Sequence, residues 1–293
     1  MKKAVLACCL GVVACSRPVT KVQPAVHYVV GSGWQVGNAW FYPRENFSYQ
    51  ATGLAVRQKE EKGSSPLTTD GEVRDAMTMT GSHPTLQLPA VVTVFNMDNG
   101  REVTIRLNDR GPKEVGRVLG LSRKAADLLA IGPNPARVRI VEDENTSRQL
   151  AEIVPGGPVL QINTAPLETV AQTQLDAPVA GARVGRAVPS VQSASIATTP
   201  TNAGGVTLPD LPAQWRQGSP VGGQFWVETT DFTSRYTAAR EAAREGATVV
   251  PSFTQQGKMW AVRHGPFATI SEADAALKRS LADGLTGSHI VVE

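Results

Sequence analysis

The chain has 293 residues, 41% hydrophobic and 19% charged, with 27 Gly and 20 Pro; that length suits two modest domains, and the uneven Gly and Pro leave room for linker. A formal net charge of +3 without a Lys/Arg block gives no support for a nucleic-acid-binding surface. Cys8, Cys9 and Cys15 are the three cysteines, so the rest of the chain has no thiol for a disulfide or a thiolate metal site, and no metal or other cofactor is expected.

The first segment reads as an export signal. Lys2 and Lys3 precede an apolar run from Ala4 to Val13, roughly ten residues against the ~20 needed to span a bilayer. Val12-Val13-Ala14-Cys15 resembles the lipobox of bacterial lipoproteins, which implies a signal peptide over 1–14 and acylation of Cys15. Acyl chains partition at about 0.8 kcal/mol per buried CH₂, so they would hold the protein on a membrane without a spanning helix. Ser16 resembles the residue that follows the cysteine in outer-membrane lipoproteins, implying a periplasm-facing outer-membrane location.

After a polar tether over 15–26, residues 27–141 read as one compact barrel of short strands. Val91 to Phe95 and Glu102 to Leu107 flank Asp98-Asn99-Gly100, which is hairpin chemistry. Ser122 is placed to cap a short helix carrying Ala125, Ala126, Leu128 and Leu129, which Gly132 and Pro133 would end, and Arg137 to Val141 returns to a strand pattern. From 142 to 219 the composition shifts to Pro, Ala, Val, Gln, Ser, Thr and Gly without a sustained period. That stretch reads as a disordered linker with a reach on the order of 50 Å.

Residues 220–293 contain a weak βαβ repeat. Phe225-Trp226-Val227-Glu228 leads to a helix-like run over Thr233 to Glu245, then Gly246 and a strand at Thr248 to Val250. Met259-Trp260-Ala261-Val262 leads through Gly265-Pro266-Phe267 to a second run over Ser271 to Asp283, then Gly284 and a strand at His289 to Val292. Ser271 with Asp274 reads as the cap of the second helix. Trp226 and Trp260 fit either a core or a sugar-stacking face. Polar Glu228, two residues past Trp226, favours exposure there, whereas Val262 weakens the case for Trp260.

Three polar residues stand out in the barrel: Glu72 in Asp70-Gly71-Glu72, His83 in His83-Pro84-Thr85-Leu86, and Asp109 in Asn108-Asp109-Arg110-Gly111-Pro112. Taken singly they are ordinary turn and loop residues. Together with Phe41-Tyr42-Pro43-Arg44-Glu45 and Asn99-Gly100-Arg101, in this order and spacing, they resemble the rare lipoprotein A family, and the C-terminal repeat is similar to SPOR domains.

The resemblance implies a multidomain, mainly β chain: a double-psi β-barrel, a linker and a small α+β SPOR domain (βαββαβ). It further implies a lytic transglycosylase of peptidoglycan that prefers glycan stripped of stem peptides at the division septum, with cell-division proteins as further partners. Asp109 would be the acid/base, with Glu72 and His83 orienting it or the sugar. Trp226, Glu228 and Trp260 would bind glycan.

Three departures from the family weaken part of the implied cleft. Val56-Arg57-Gln58-Lys59 stands where an aromatic Ser-Trp-Tyr-Gly is customary, Arg74 where an aromatic ring is usual, and Leu119-Gly120-Leu121-Ser122 lacks an acidic residue. They favour the alternative of a non-cleaving, expansin-like wall-binding barrel. An envelope scaffold whose barrel contacts another protein is a third reading.

Overall fold

The structure is a computed structural model that describes residues 23–59, 63, 65–158, 206–229, 231–254 and 257–293. The predicted signal peptide, Cys15 and most of the predicted linker lie outside the described residues. A small hairpin, β1 (Trp34–Val36) and β2 (Ala39–Phe41), precedes β3 (Gln50–Arg57), β4 (Thr80–Ser82), β5 (Ala90–Asn96), β6 (Arg101–Asp109) and β7 (Leu119–Leu121). Then come α1 (Arg123–Leu128), β8 (Ala136–Glu142) and α2 (Glu144–Ile153). Strands pair in the order β4-β7-β3-β8-β5-β6, and β6 returns to pair with β4. The barrel is therefore closed, with β4 taking the Arg106–Asp109 part of β6 and leaving the Arg101–Val103 part open.

Strand alternation divides the barrel into an inside and an outside. Ala55, Val92, Val94, Ile105, Leu107, Leu119, Leu121 and Ile140 fill the interior. α1 closes one flank, with Ala125 and Ala126 buried and Ser122 Oγ accepting from Ala125 N–H at 3.1 Å as its cap. The N-terminal strap is stitched to the loop before β4: Ala25 N–H donates to Gly71 O (3.0 Å) and His27 N–H to Asp70 O (2.8 Å).

Two ordered pieces fall inside the span read as linker. α2 is capped by Asp143 and buries only Ser147 and Ala151. Such small residues leave no apolar stripe to see in a sequence. Strand β9 (Trp215–Gln217) adds to the edge of β6, although its side chains are exposed; backbone pairing and Arg101 over the Trp215 ring (4.5 Å) hold it. Pro155 and Val206 both bond the N-terminal strap: Tyr28 N–H donates to Pro155 O and Val26 N–H to Val206 O.

The remaining elements are β10 (Phe225–Glu228), α3 (Arg235–Glu245), β11 (Thr248–Thr254), β12 (Gly257–Phe267), α4 (Ile270–Ala282) and β13 (His289–Val292). They form an antiparallel sheet in the order β11-β12-β10-β13. α3 ends at Gly246, whose φ of +65° is the left-handed conformation that favours glycine. The cap of α4 differs from the expected one: Thr269 and Glu272 form a capping box, two residues ahead of the predicted Ser271.

This second domain is docked on the barrel. Leu54, Phe95 and Met97, on the outside of the barrel, share one buried cluster with Phe225, Val227, Leu277, Ile290 and Val292. Arg117, only 10% exposed, makes two hydrogen bonds to Asp274 at 2.7 and 2.9 Å. Arg137 reaches Gly223 O (2.6 Å) and Val292 N–H reaches Thr52 Oγ1 (3.2 Å). Among the described residues no helix is long and apolar enough to cross a membrane.

Candidate active site

One end of the barrel opens into a cleft of about 570 Å³. Its walls come from the end of β3, the loop around Ser65 to Met77, the end of β6 with the Arg110-to-Glu114 segment, and Ser122 and Arg123. Asp109, the last residue of β6, lines it, with its side chain 13% exposed. Its Oδ1 accepts from Thr69 N–H (3.0 Å) and Thr69 Oγ1 (2.7 Å), and its Oδ2 pairs with Arg74 at 2.6 Å. The Thr69 hydroxyl also accepts from Arg110 N–H (3.0 Å), so one threonine fixes both residues.

The turn beyond Asp109 is equally constrained. Gly111 has φ +149°, and a Cβ there would lie 3.0 Å from Ser82 Oγ, which is why glycine occupies it. Arg110 turns away from the cleft and donates to the carbonyls of Leu86 and Val30.

Glu72 and His83 stand behind Asp109, outside the cleft lining. Glu72 is buried; its Oε2 accepts from Asn108 Nδ2 (2.6 Å) and its Oε1 pairs with Arg106 (2.7 Å). His83 is fully buried. Its Nδ1 accepts from Thr85 N–H (3.2 Å) and Leu86 N–H (3.0 Å), so the proton belongs on Nε2, which faces Tyr49 OH at 3.1 Å. Burial, reinforced by Arg110, pushes the imidazole down to about 3, which keeps it neutral at physiological pH. Its backbone N–H donates to Asp109 O at 3.1 Å.

The trio thus converges on the end of β6, but only Asp109 reaches the cleft. Sequence reasoning missed three residues of this assembly: Thr69, Arg106 and Asp70. Asp70 Oδ1 accepts from Thr68 Oγ1 (2.7 Å) and Glu72 N–H (3.1 Å), while its Oδ2 is buried without a hydrogen-bond partner. Burial first, and the Glu72 charge second, push its carboxyl up to about 7. Its place beside Gly71-Glu72 was the only signal in the sequence.

The departures from the family pattern occupy definite places. Arg57 donates to Asp127 and to Ile131 O (3.3 Å). Gly120 is matched to Gln58: a Cβ on Gly120 would lie 2.4 Å from Ser82 Oγ and 2.8 Å from Gln58 Nε2, and those two side chains bond each other at 2.6 Å. An acidic side chain at 120 does not fit beside them. Arg74 lies against Asp109 itself.

In the second domain the two tryptophans part company. Trp226 and Glu228 alternate with buried Phe225 and Val227, and so face away from the helices. There Arg263 donates to Glu228 (2.6 Å) and to Glu293, with its guanidinium 5.8 Å from the Trp226 ring. Trp260 instead packs on the α3 side with Ala238, Ala242 and Val262. The sheet therefore brings Trp226 and Glu228 together and puts Trp260 on the other face. Among the described residues no group of His, Cys, Asp and Glu could hold a metal ion.

A closed six-strand barrel with a single trio member open to its cleft, docked to a four-stranded sheet with two helices, is the two-domain plan of a barrel-plus-SPOR protein. The family model described as "Lytic transglycolase" matches residues 36–140, and the "SPOR domain" model matches residues 230–292. Proteins named "Endolytic peptidoglycan transglycosylase RlpA" are similar: that of Salmonella typhimurium is 40% identical over 104 residues, covering 36% of this chain and 27% of its own length. That of Yersinia pestis is 47% identical over 90 residues (31% and 24%), and that of Rickettsia felis 33% over 106 residues (36% and 46%). The matches give the chain a barrel domain of the lytic-transglycolase type and a SPOR domain, and the barrel is similar to those of the rare lipoprotein A proteins. Its aligned region spans 27% and 24% of the lengths of the Salmonella and Yersinia relatives.

Proposed function

We propose that this chain is a peptidoglycan lytic transglycosylase of the cell envelope, cleaving the MurNAc-GlcNAc bond of stripped glycan at the septum, with Asp109 as its acid/base. The observation that carries the reading is the position of Asp109: of the trio, it alone has its carboxyl on the cleft, held by Thr69 and backed by buried Glu72 and His83. One carboxyl suffices for this reaction. It gives its proton to the departing O4 as the C1–O4 bond breaks; its conjugate base then takes the proton of the muramyl C6 hydroxyl as O6 bonds to C1. No water is consumed, in contrast to hydrolases with paired carboxylates.

Glu72 and His83 act as positioning residues in this scheme, the first through Asn108 and the second through its backbone bond to Asp109. Trp226 and Glu228 supply the glycan face of the SPOR domain. Trp260 supports α3 from the opposite side. Cys15 carries the lipid that holds the chain on the outer membrane, and cell-division proteins complete its surroundings.

The deciding experiment incubates the soluble mature chain with amidase-treated sacculi and analyses products by mass spectrometry. Release of 1,6-anhydromuramyl fragments is expected, and their absence from a folded, sacculus-bound protein overturns the enzymatic reading. The second reading, a barrel that binds without cutting, is favoured by one observation: Arg74 sits on the carboxyl that must exchange protons.

A further inference from the structure

Arg74 stands where the family usually has an aromatic ring, and its setting differs from that of Arg57 and Arg110. Arg57 is committed to Asp127 and Arg110 to backbone carbonyls. Arg74 is 37% exposed at the rim, with its Nε on Ser65 O (3.2 Å) and its Nη1 2.6 Å from Asp109 Oδ2. The backbone contact orients the guanidinium while one edge stays directed at a carboxylate on the cleft. With Arg110 turned away and Arg57 paired to Asp127, the cleft is lined by Lys59, Arg74, Lys113 and Arg123 against Asp75, Asp109 and Glu114, a small cationic excess that favours an anion.

Glycan chemistry supplies a matching group. In a peptide-bearing strand the muramyl lactyl carboxyl is tied up in an amide; stripping the peptide restores it as a free carboxylate, the planar partner that a guanidinium prefers. We propose that Arg74 reads this lactyl carboxylate, exchanging Asp109 for the substrate's own anion and thereby freeing the acid/base as the correct strand enters. The inference rests on the glycan reading above but concerns binding, so it is testable whether or not the bond is cut. It moves the discrimination for stripped strands into the catalytic cleft, in addition to any made by the SPOR domain.

The test measures affinity of the full soluble chain for four tetrasaccharides: stripped muramyl glycan, the same glycan with its lactyl carboxyls converted to methylamides, peptide-bearing glycan, and neutral chitotetraose. Wild type is expected to bind the free carboxylate about tenfold tighter than the methylamide. Arg74→Gln should erase that ratio while leaving chitotetraose unchanged, and Arg74→Lys should keep part of it; a melting curve for each variant verifies folding. Persistence of the ratio in folded Arg74→Gln that also carries Trp226→Ala, which takes away the SPOR glycan face, overturns the proposal. So does tightest binding of peptide-bearing glycan, which assigns the anion to the stem peptide, or equal binding of acid and methylamide. Missing anhydro products with the ratio intact would instead defeat only the enzymatic reading.

Discussion

The cleft end of the barrel and its docked outer face use the same strands in opposite ways. On the docked face apolar side chains such as Leu54 and Phe95 point out of the barrel and meet a second apolar surface. At the cleft end the same sheet finishes in Asn108 and Asp109, whose polar groups are cross-bonded to the loop that carries Thr69, Asp70 and Glu72. Burial of hydrocarbon gives the first region its stability; fixed polar geometry gives the second its chemistry. The contrast predicts that damage at each end should have a different signature.

The largest effect belongs to Asp109→Asn. Anhydro-sugar release should fall about 10²- to 10⁴-fold, the usual worth of general acid/base participation, while sacculus binding and the melting temperature of the docked unit hold. A folded variant with wild-type product yield removes Asp109 from the role. Leu54→Asp is the converse: it puts a carboxylate at a site with 0% exposure, at a cost of about 3–5 kcal/mol. Undocking should appear as new protease cuts between 206 and 224 and as separated melting transitions; one unsplit transition would show that the interface is dispensable.

The SPOR face offers a finer version of the same contrast. Trp226→Ala should weaken sacculus binding about tenfold with little change in melting. Trp260→Ala should lower the melting temperature first. Equal binding losses from two equally stable variants would contradict the opposite placement of the two rings.

The smallest effect is set by pH. The Asp70 carboxyl rises from 3.8 to about 7 on folding, so the native state holds that proton more tightly than the unfolded chain. The stability this contributes is complete below about pH 4 and is lost as pH climbs through 7. Asn cannot ionise. The melting temperature of Asp70→Asn relative to wild type should therefore grow from pH 5 to pH 8, by on the order of 5 °C. The His83 contribution, of opposite sign because its pKa is depressed to about 3, is common to both proteins and cancels in that difference. A flat difference would place the buried carboxyl in contact with solvent.

Features written in local pattern were legible. The Asp98-Asn99-Gly100 hairpin joins β5 to β6, and Ser122 caps α1. Glu228 beside Trp226, against Val262 beside Trp260, already distinguished the two strands, since side chains two apart share a face. Features made by distant partners were not legible. The burial of His83 depends on Tyr49, and the closeness of Glu72 to Asn108 spans 36 positions. The exclusion of an acid at 120 depends on Gln58 and Ser82 folding over it. Docking was hidden for a similar reason: Leu54 reads as one more barrel residue until Ile290 and Leu277 arrive from a domain more than 200 positions away.

The strap at Ala25 and His27 has a mechanical consequence. Its bonds to Gly71 and Asp70 attach the N-terminal tether to the loop of the cleft, ahead of the barrel core. With Cys15 acylated as proposed, ten residues, at most about 36 Å of chain, separate the membrane from that attachment. Tension between outer membrane and wall would then load the loop carrying Thr69, Glu72 and Arg74, together with the small apolar cluster around Val26, before it reached the barrel's main core, making the cleft an early element in the line of force. Pulling from residue 15 in a force spectrometer should register a small early extension as the two strap bonds part, and a single rupture of the whole barrel would show that the strap bears no separate load.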